Sequence, residues 1–175
     1  MFHVWFGPLP GGLAIGTILL MVLISAMNGL SVAGMAIGAT IALPELVKHR
    51  YDKPMISGVI QAGSSLGILI PPSVVLVLYS LIARQPVSQL WLAGIGPGLL
   101  MAALFIVYIL IRTWLNPALA PPMPPEERAA ITWPERFRLL RAGILPLVIF
   151  AAMMIPFVKG WTSLTESSVV GALAA

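Results

Sequence analysis

The sequence predicts an all-α, polytopic membrane protein, and three observations lead to that fold class. Apolar residues make up 59% of the 175 residues, whereas charged residues make up only 9%. The mean hydropathy is +0.99. The apolar residues also fall into long blocks separated by polar segments. Because a soluble core with a wet surface does not accommodate this composition, we expect the chain to lie in a lipid bilayer.

The hydrophobic blocks divide the chain into seven predicted segments. They are an interfacial segment at 1–12, a helical hairpin at 13–47, a broken membrane helix at 55–83, a transmembrane helix at 90–111, a Pro-rich linker with an amphipathic helix at 112–142, a transmembrane helix at 143–158 and a C-terminal apolar segment at 159–175. Within the linker, Trp133, Phe137 and Leu140 recur at helical spacing among charged residues. This pattern predicts a helix along the membrane interface.

The first block is too long for a single crossing. As one straight helix, the stretch 13–43 would measure about 46 Å, against a hydrocarbon core of roughly 30 Å. Asn28 and Gly29 lie near its middle, and both residue types tolerate turn conformations. We therefore predict a re-entrant hairpin with arms of about 22 Å and a polar tip that contains Ser25, Asn28 and Ser31. The alternative is one tilted helix with a small-residue packing face.

The second block contains a double-proline break. Pro71 and Pro72 lack amide hydrogens, so a helix running through them leaves the carbonyl groups of Gly67 and Ile68 without their usual partners. We predict two half-helices joined by an extended link. Exposed carbonyls suit a hard cation, and the amino end of a half-helix suits an anion. The alternative is a kink satisfied by water or neighbouring hydroxyls, with no ligand. The candidate binding residues here are Ser64, Ser65, Gly67, Pro71, Pro72 and Ser73.

The basic residues predict the orientation of the chain. Eight of the ten Lys and Arg residues lie in the loop at 48–53 and in the linker at 112–142. The other two, Arg84 and Lys159, fall on the opposite side if the hairpin returns to its own side. The side with more basic residues is expected in the cytoplasm. This distribution follows the membrane segments and gives no reason to expect nucleic acid as a partner.

No pattern in the sequence predicts an enzyme. His3 and His49 have no partner at metal-ligand spacing, the chain has no cysteine, and His49 is predicted to be a solvated loop residue. Glu166 is the one acid in the apolar C-terminal region. An acid near apolar segments is a candidate functional residue, but an interfacial or capping role is equally compatible with its neighbours.

The chain resembles the large permease subunit of tripartite ATP-independent periplasmic (TRAP) transporters. The motifs that carry the resemblance are, in order, LPGGLAIGTILL, SAMNGLSVAG, IALPELVKHRYDK, SGVIQAGSSLGILIPPS, LWLAGIGPGLL and TSLTESSVVGALAA. The resemblance implies a multi-pass protein of the bacterial inner membrane that imports organic acids (carboxylates) by sodium symport and an elevator mechanism. It implies no cofactor, with Na⁺ as the coupling ion. The implied partners are a small membrane subunit and a periplasmic substrate-binding protein.

By the same resemblance, the fold is half of an inverted-repeat elevator transporter. The hairpin tip, with Gly29, joins the break in one ion and substrate region, and the Na⁺ candidates are Ser25, Asn28 and Gly67. Asn28 stands where the family commonly has serine, and Leu164 stands where it commonly has proline. The family's large subunits are more than twice as long, so we expect a fragment of about one repeat, with 159–175 starting a second. The alternative function is a non-transporting membrane interaction protein or truncated remnant.

Overall fold

The structure, a computed structural model, is entirely helical in its regular elements. It describes residues 11–121, 148, 151–152, 154–157, 159–161, 163, 166 and 169, without the side chains of 25–28. The all-α class is therefore confirmed over the described residues. The elements are α1 (Gly12–Asn28), α2 (Ser31–Ile37), a π-helical turn (Gly38–Ala42), α3 (Leu43–Lys48), α4 (Lys53–Ser65), a 3₁₀ turn (Leu66–Ile68), α5 (Val74–Ala83), α6 (Val87–Leu115) and a second 3₁₀ turn (Pro117–Leu119).

The first hydrophobic block folds back on itself between α1 and α2. Gly29 adopts a left-handed conformation with φ +64°, and Leu30 is extended with φ −129° and ψ 126°. Beyond this reversal, Gly38 packs against the fully buried side chain of Met21. Those two residues lie at equal sequence distance from the turn, so the arms run side by side in opposite directions.

The second arm of this hairpin is longer than the sequence suggested. The π-helical turn continues α2 directly into α3, and the stretch Ser31–Lys48 is long and apolar enough to cross a membrane by length and composition. Its 18 residues correspond to about 27 Å of helix. The expected arm length of about 22 Å is therefore wrong for this arm, and a re-entrant form stays a prediction.

The double-proline segment separates α4 from α5. Regular α-helix ends at Ser65, a 3₁₀ turn follows, and helix resumes only at Val74. Both prolines lie in this irregular link, where their missing amide hydrogens cost no helical hydrogen bond. Pro71 is almost completely buried, so this part of the link packs inside the protein.

The long helix α6 packs against the link. Its glycines allow close approach, because a Cβ on Gly94 would lie 2.7 Å from the carbonyl oxygen of Leu69. A Cβ on Gly98 would lie 2.9 Å from Cγ1 of Ile70. With 29 residues, α6 measures about 43 Å, more than the predicted span at 90–111. The extension past Ile111 is part of the same helix, in which Thr113 Oγ1 donates to the Ile109 carbonyl over 2.8 Å.

The end of the bundle opposite the hairpin turn is held by hydrogen bonds between elements. The backbone amide of Leu13 donates to the Tyr51 hydroxyl over 3.3 Å. The amide of Asp52 donates to the carbonyl of Leu119 over 3.0 Å. His49 also lies at this end, where its ring is largely buried and its Nε2 is 3.2 Å from Glu45 Oε1. The prediction of a solvated His49 is therefore wrong, because the ring packs beside the preceding helical turn.

Tyr51 gives this end of the bundle a testable pH dependence. Burial raises the pKa of Tyr51 from 10.0 to about 12. The folded state then holds its phenol proton up to a higher pH than the unfolded state, so the stabilisation is complete below pH 10 and is lost as the pH rises toward 12. At pH 11 we expect a loss of about 1 kcal/mol relative to neutral pH.

The measurement is the free energy of unfolding of the wild type and of Tyr51→Phe between pH 8 and pH 11 (roughly the range in which tyrosine begins to ionise). Only the wild type should lose the Tyr51 contribution, so the difference between the two proteins should shrink as the pH rises. A constant difference would contradict the assignment.

Several predicted segments lie wholly or mainly outside the described residues. The interfacial segment at 1–12 and the linker at 112–142 are described only where they adjoin 11–121. Trp133, Phe137 and Leu140 lie outside, so the amphipathic helix stays a prediction. Within 143–158, the described residues are helical.

Candidate functional site

The hairpin tip and the double-proline link are in direct contact. The amide of Val74, the first residue of α5, donates to the carbonyl of Gly29 over 3.2 Å. A side chain on Gly29 would overlap the carbonyl oxygen of Pro72. The sequence singled out these two regions separately, and the structure brings them together at Gly29, which is itself buried.

Four helix ends lie next to Gly29 or the double-proline link in the sequence. α1 ends at Asn28 and α4 ends at Ser65, whereas α2 begins at Ser31 and α5 begins at Val74. The carboxyl ends of helices carry partial negative charge from unpaired carbonyls, and the amino ends carry partial positive charge from unpaired amides. The region therefore presents backbone groups of both signs, which is the arrangement that discontinuous membrane helices use for ions and anionic substrates.

No formal charge lies in the segments that form the contact. The stretches 12–44 and 54–83 contain no Asp, Glu, Lys or Arg. A cation bound here would have to be coordinated by carbonyl, hydroxyl or amide oxygens, which are the ligand types that hard cations accept. Ser25 and Asn28 lie in the last turns of α1, but their side chains are outside the described part of the structure.

Ser73 is the best defined polar residue of the link. Its side chain is fully buried, and its hydroxyl donates to the carbonyl of Ile68 over 2.6 Å. The same oxygen accepts from the amide of Leu76 over 3.4 Å, so Ser73 is the N-cap of α5. The Ile68 carbonyl is thus satisfied by a neighbouring hydroxyl in place of the amide that proline removes, as in the alternative of the sequence analysis.

The other predicted residues of the break have distinct surroundings. Ser64 Oγ donates to the Gln61 carbonyl over 2.9 Å, and Ser65 Oγ donates to the Ala62 carbonyl over 2.7 Å. Ser64 is buried and Ser65 is half-buried. A hydroxyl that donates one hydrogen bond keeps lone pairs with which it can accept or coordinate. Gly67 is buried within the 3₁₀ turn. Their ligand roles stay predictions.

Trp91 was not among the predicted site residues, yet it contacts the link. Its indole Nε1 donates to the carbonyl of Ser73 over 3.3 Å, and only 5% of its surface is exposed. Its ring centroid lies 4.9 Å from that of Phe157, at an interplanar angle of 53°. A buried indole N–H needs an acceptor, and the Ser73 carbonyl supplies one while it also accepts from the Val77 amide over 3.2 Å. No local pattern in the sequence marks this pairing, because it depends on how α6 packs against the link.

Glu166 lies in a different setting from the tip and the link. The Ser163 amide donates to Glu166 Oε2 over 2.7 Å, and the Glu166 amide donates to Ser163 Oγ over 3.3 Å. These reciprocal bonds form a capping box, for which Ser-x-x-Glu is the sequence signature. The amide of Ser163 lowers the pKa of the Glu166 carboxyl. The described geometry therefore matches the capping alternative of the sequence analysis.

Comparison with known proteins identifies the whole chain with one transporter family. Residues 1–175 match the family described as the tripartite ATP-independent periplasmic transporter, DctM component. The ectoine/5-hydroxyectoine TRAP transporter large permease protein of Ruegeria pomeroyi is 33% identical over 144 residues, which cover 82% of this chain and 32% of the relative. The C4-dicarboxylate TRAP transporter large permease protein of Vibrio cholerae is 30% identical over 169 residues, covering 97% of this chain and 35% of the relative.

A third relative is the C4-dicarboxylate TRAP transporter large permease protein of Pseudomonas aeruginosa. It is 36% identical over 115 residues, covering 65% of this chain and 27% of the relative. This chain thus spans about one third of the length of the curated relatives that it matches.

Proposed function

Since this chain belongs to the DctM component family of tripartite ATP-independent periplasmic transporters, a family of transporter permeases and not of enzymes, we propose that it forms one half of the ion and substrate region of a sodium-coupled organic-acid importer. The observation that carries the proposal is the hydrogen bond from the Val74 amide to the Gly29 carbonyl, which joins the hairpin tip to the double-proline link. α5 begins at that bond, α1 ends directly before Gly29 and α2 begins two residues after it, and the stretches 12–44 and 54–83 carry no formal charge.

The proposal assigns complementary roles to the two kinds of helix end. Carbonyl oxygens and hydroxyls near the ends of α1 and α4 provide ligands for Na⁺. The amides in the first turn of α2 favour the carboxylate of the organic acid. At the start of α5, the Val74 and Leu76 amides already donate to the Gly29 carbonyl and the Ser73 hydroxyl. Because no Lys or Arg lies in these segments, the sodium ion would contribute the positive charge that a bound carboxylate needs nearby. This dependence of anion binding on the cation is a physical basis for symport.

The proposed assembly extends beyond this chain. We place it in the bacterial inner membrane with a small membrane subunit, and a periplasmic binding protein delivers the organic acid. The matched relatives are named for ectoine/5-hydroxyectoine and for C4-dicarboxylates. Movement of the substrate is proposed to follow an elevator mechanism, which requires a scaffold for this helical unit to move against.

Sodium-dependent cysteine accessibility tests the proposed ion site. The chain has no native cysteine, so single cysteines can replace Leu30 at the tip and Ile68 at the link, whose exposed fractions are 46% and 38%. In the reconstituted full chain we expect Na⁺ to slow thiol labelling at both positions relative to K⁺. The reason is that an ion bound between the tip and the link would hold the two segments together.

Ile82→Cys is the matched control, because Ile82 is 83% exposed near the far end of α5. Its labelling should be the same in both salts. Equal labelling at all three positions would instead favour the alternative of a membrane protein that binds no ligand. A uniform slowing at all three would indicate a general effect of the salt and would also count against an ion site at the tip.

A further inference from the structure

A cavity lies between α4 and α6, away from the hairpin tip. It encloses about 520 Å³ and opens to the surface. Its floor includes the fully buried Ile18 of α1. Met55 and Val59 form one wall, and Phe105 and Ile109 form the other. We refer to this cavity as the α4–α6 groove. No residue of the tip or of the double-proline link contributes to its lining.

The groove is an elongated trough. Along α4 its lining residues extend from Pro54 to Ala62, and along α6 they extend from Leu104 to Arg112. Each of these stretches rises about 12 Å. A Cβ placed on Gly58 would meet no atom within 4 Å, so the lack of a side chain there leaves the trough open. An apolar trough of this length on a membrane protein fits part of an extended hydrocarbon chain.

Charged side chains occur at one end of the trough. Asp52 and Arg112 line this end, and the hydrogen bond from the Asp52 amide to Leu119 fixes the loop beside it. The described structure shows no acidic side chain within ion-pair distance of Arg112. Lys53 follows Asp52 directly, is exposed, and adds a second positive charge next to this end. The net charge of Asp52, Lys53 and Arg112 at this end of the groove is therefore positive, although the Asp52 carboxylate offsets part of the positive charge.

An apolar trough with a net positive charge at one end matches an amphiphile that has an anionic headgroup. We propose that the α4–α6 groove binds one anionic glycerophospholipid, with an acyl chain against Met55, Val59 and Phe105 and its phosphate near the Arg112 guanidinium. Basic pockets between membrane helices on the cytoplasmic side favour anionic headgroups, and this end of the bundle carries the loop at 48–53 that the basic residues predict to be cytoplasmic. The proposal goes beyond the transport role and does not depend on the ion site.

Native mass spectrometry of the purified full chain tests the proposal. The probes are phosphatidylglycerol and phosphatidylcholine with identical acyl chains, titrated separately into the detergent-solubilised protein. We expect one molecule of phosphatidylglycerol to be retained at about fivefold lower concentration than phosphatidylcholine, the preference that one surface arginine provides. In Arg112→Gln this preference should disappear, because the net positive charge that distinguishes the two headgroups is lost.

Two glycine variants locate the site. Gly58→Leu places a side chain in the trough and should lower retention of both lipids by about tenfold, because it removes apolar contact area from the acyl chain. Gly96→Leu is the matched control, since Gly96 also lies on a helix with no atom within 4 Å of a Cβ but outside the groove. It should retain both lipids as the wild type does.

The proposal would be overturned by equal retention of the two lipids by the wild type, by a preference that survives in Arg112→Gln, or by equal retention by the two glycine variants. Circular dichroism of each variant establishes whether it is folded. If Gly58→Leu does not fold, the Arg112→Gln comparison still decides the matter, because it leaves the trough unfilled. Retention of neither lipid by the folded wild type would also reject the site.

Discussion

The Gly29→Ala variant should lose about 2–4 kcal/mol of unfolding free energy. Gly29 has φ +64°, a conformation that costs a residue with a Cβ about 1–2 kcal/mol. The new methyl group would also overlap the Pro72 carbonyl oxygen, which is backbone and has little freedom to move. Relief of that overlap requires the tip to separate from the link, which breaks the hydrogen bond from Val74 to Gly29.

The measurement is reversible unfolding of the full chain in mixtures of sodium dodecyl sulfate and a mild detergent, followed by circular dichroism. Gly58→Ala is the control, because its Cβ would meet no atom within 4 Å and Gly58 lies inside a helix. That substitution should be neutral or stabilising by up to about 1 kcal/mol. Similar unfolding free energies for the two variants would show that the tip and the link do not pack as described.

Local features of the sequence predicted the positions of both interruptions. Asn28 and Gly29 interrupt an apolar block at a pair of turn residues, and Pro71 with Pro72 removes consecutive amide hydrogens. These effects depend on the backbone chemistry of a few adjacent residues. They require no knowledge of the rest of the fold, which is why helix termination at Asn28 and the irregular link before Val74 followed from the sequence alone.

The contacts made by those interruptions could not be predicted in the same way. The hydrogen bond from Val74 to Gly29 joins residues far apart in sequence, and the bond from Trp91 to Ser73 depends on how α6 crosses the link. The length of the arm Ser31–Lys48 was also underestimated, because a π-helical turn continues the helix where the sequence offers no clear signal. Tertiary packing decides such features, and hydropathy patterns carry little information about it.

The link packs closely against α6, through two glycines of that helix and through the indole of Trp91. Gly94 approaches the Leu69 carbonyl, and Trp91 donates to the Ser73 carbonyl. An irregular backbone at membrane depth is tolerated where it is buried in protein or lines a cavity. Contacts with Gly94 and Trp91 of α6 hold one side of the link. On the hairpin side, the link contacts Gly29 at the tip. An ion at the tip would therefore act on the hairpin more readily than on the link.

Ser73→Ala should lower the free energy of unfolding by about 2–4 kcal/mol, because its hydroxyl makes two structural hydrogen bonds. It caps α5 by accepting from Leu76 and satisfies the Ile68 carbonyl. Loss of an N-cap costs about 1 kcal/mol, and a buried carbonyl left without a donor costs about 1–3 kcal/mol. Ser57→Ala is the control, since the exposed Ser57 hydroxyl donates to the Lys53 carbonyl within one helix, and it should change stability little.

Repeating the Ser73→Ala measurement in Na⁺ and in K⁺ separates the structural role of the hydroxyl from a role as an ion ligand. A cap and a carbonyl partner are needed in either salt, so a purely structural Ser73 gives the same loss in both. An additional loss confined to Na⁺ would mean that the oxygen also coordinates the ion, because ligand binding stabilises only the protein that binds it. The hydrogen bonds already made by Ser73 lead us to expect equal losses. No loss in either salt would contradict the capping geometry itself.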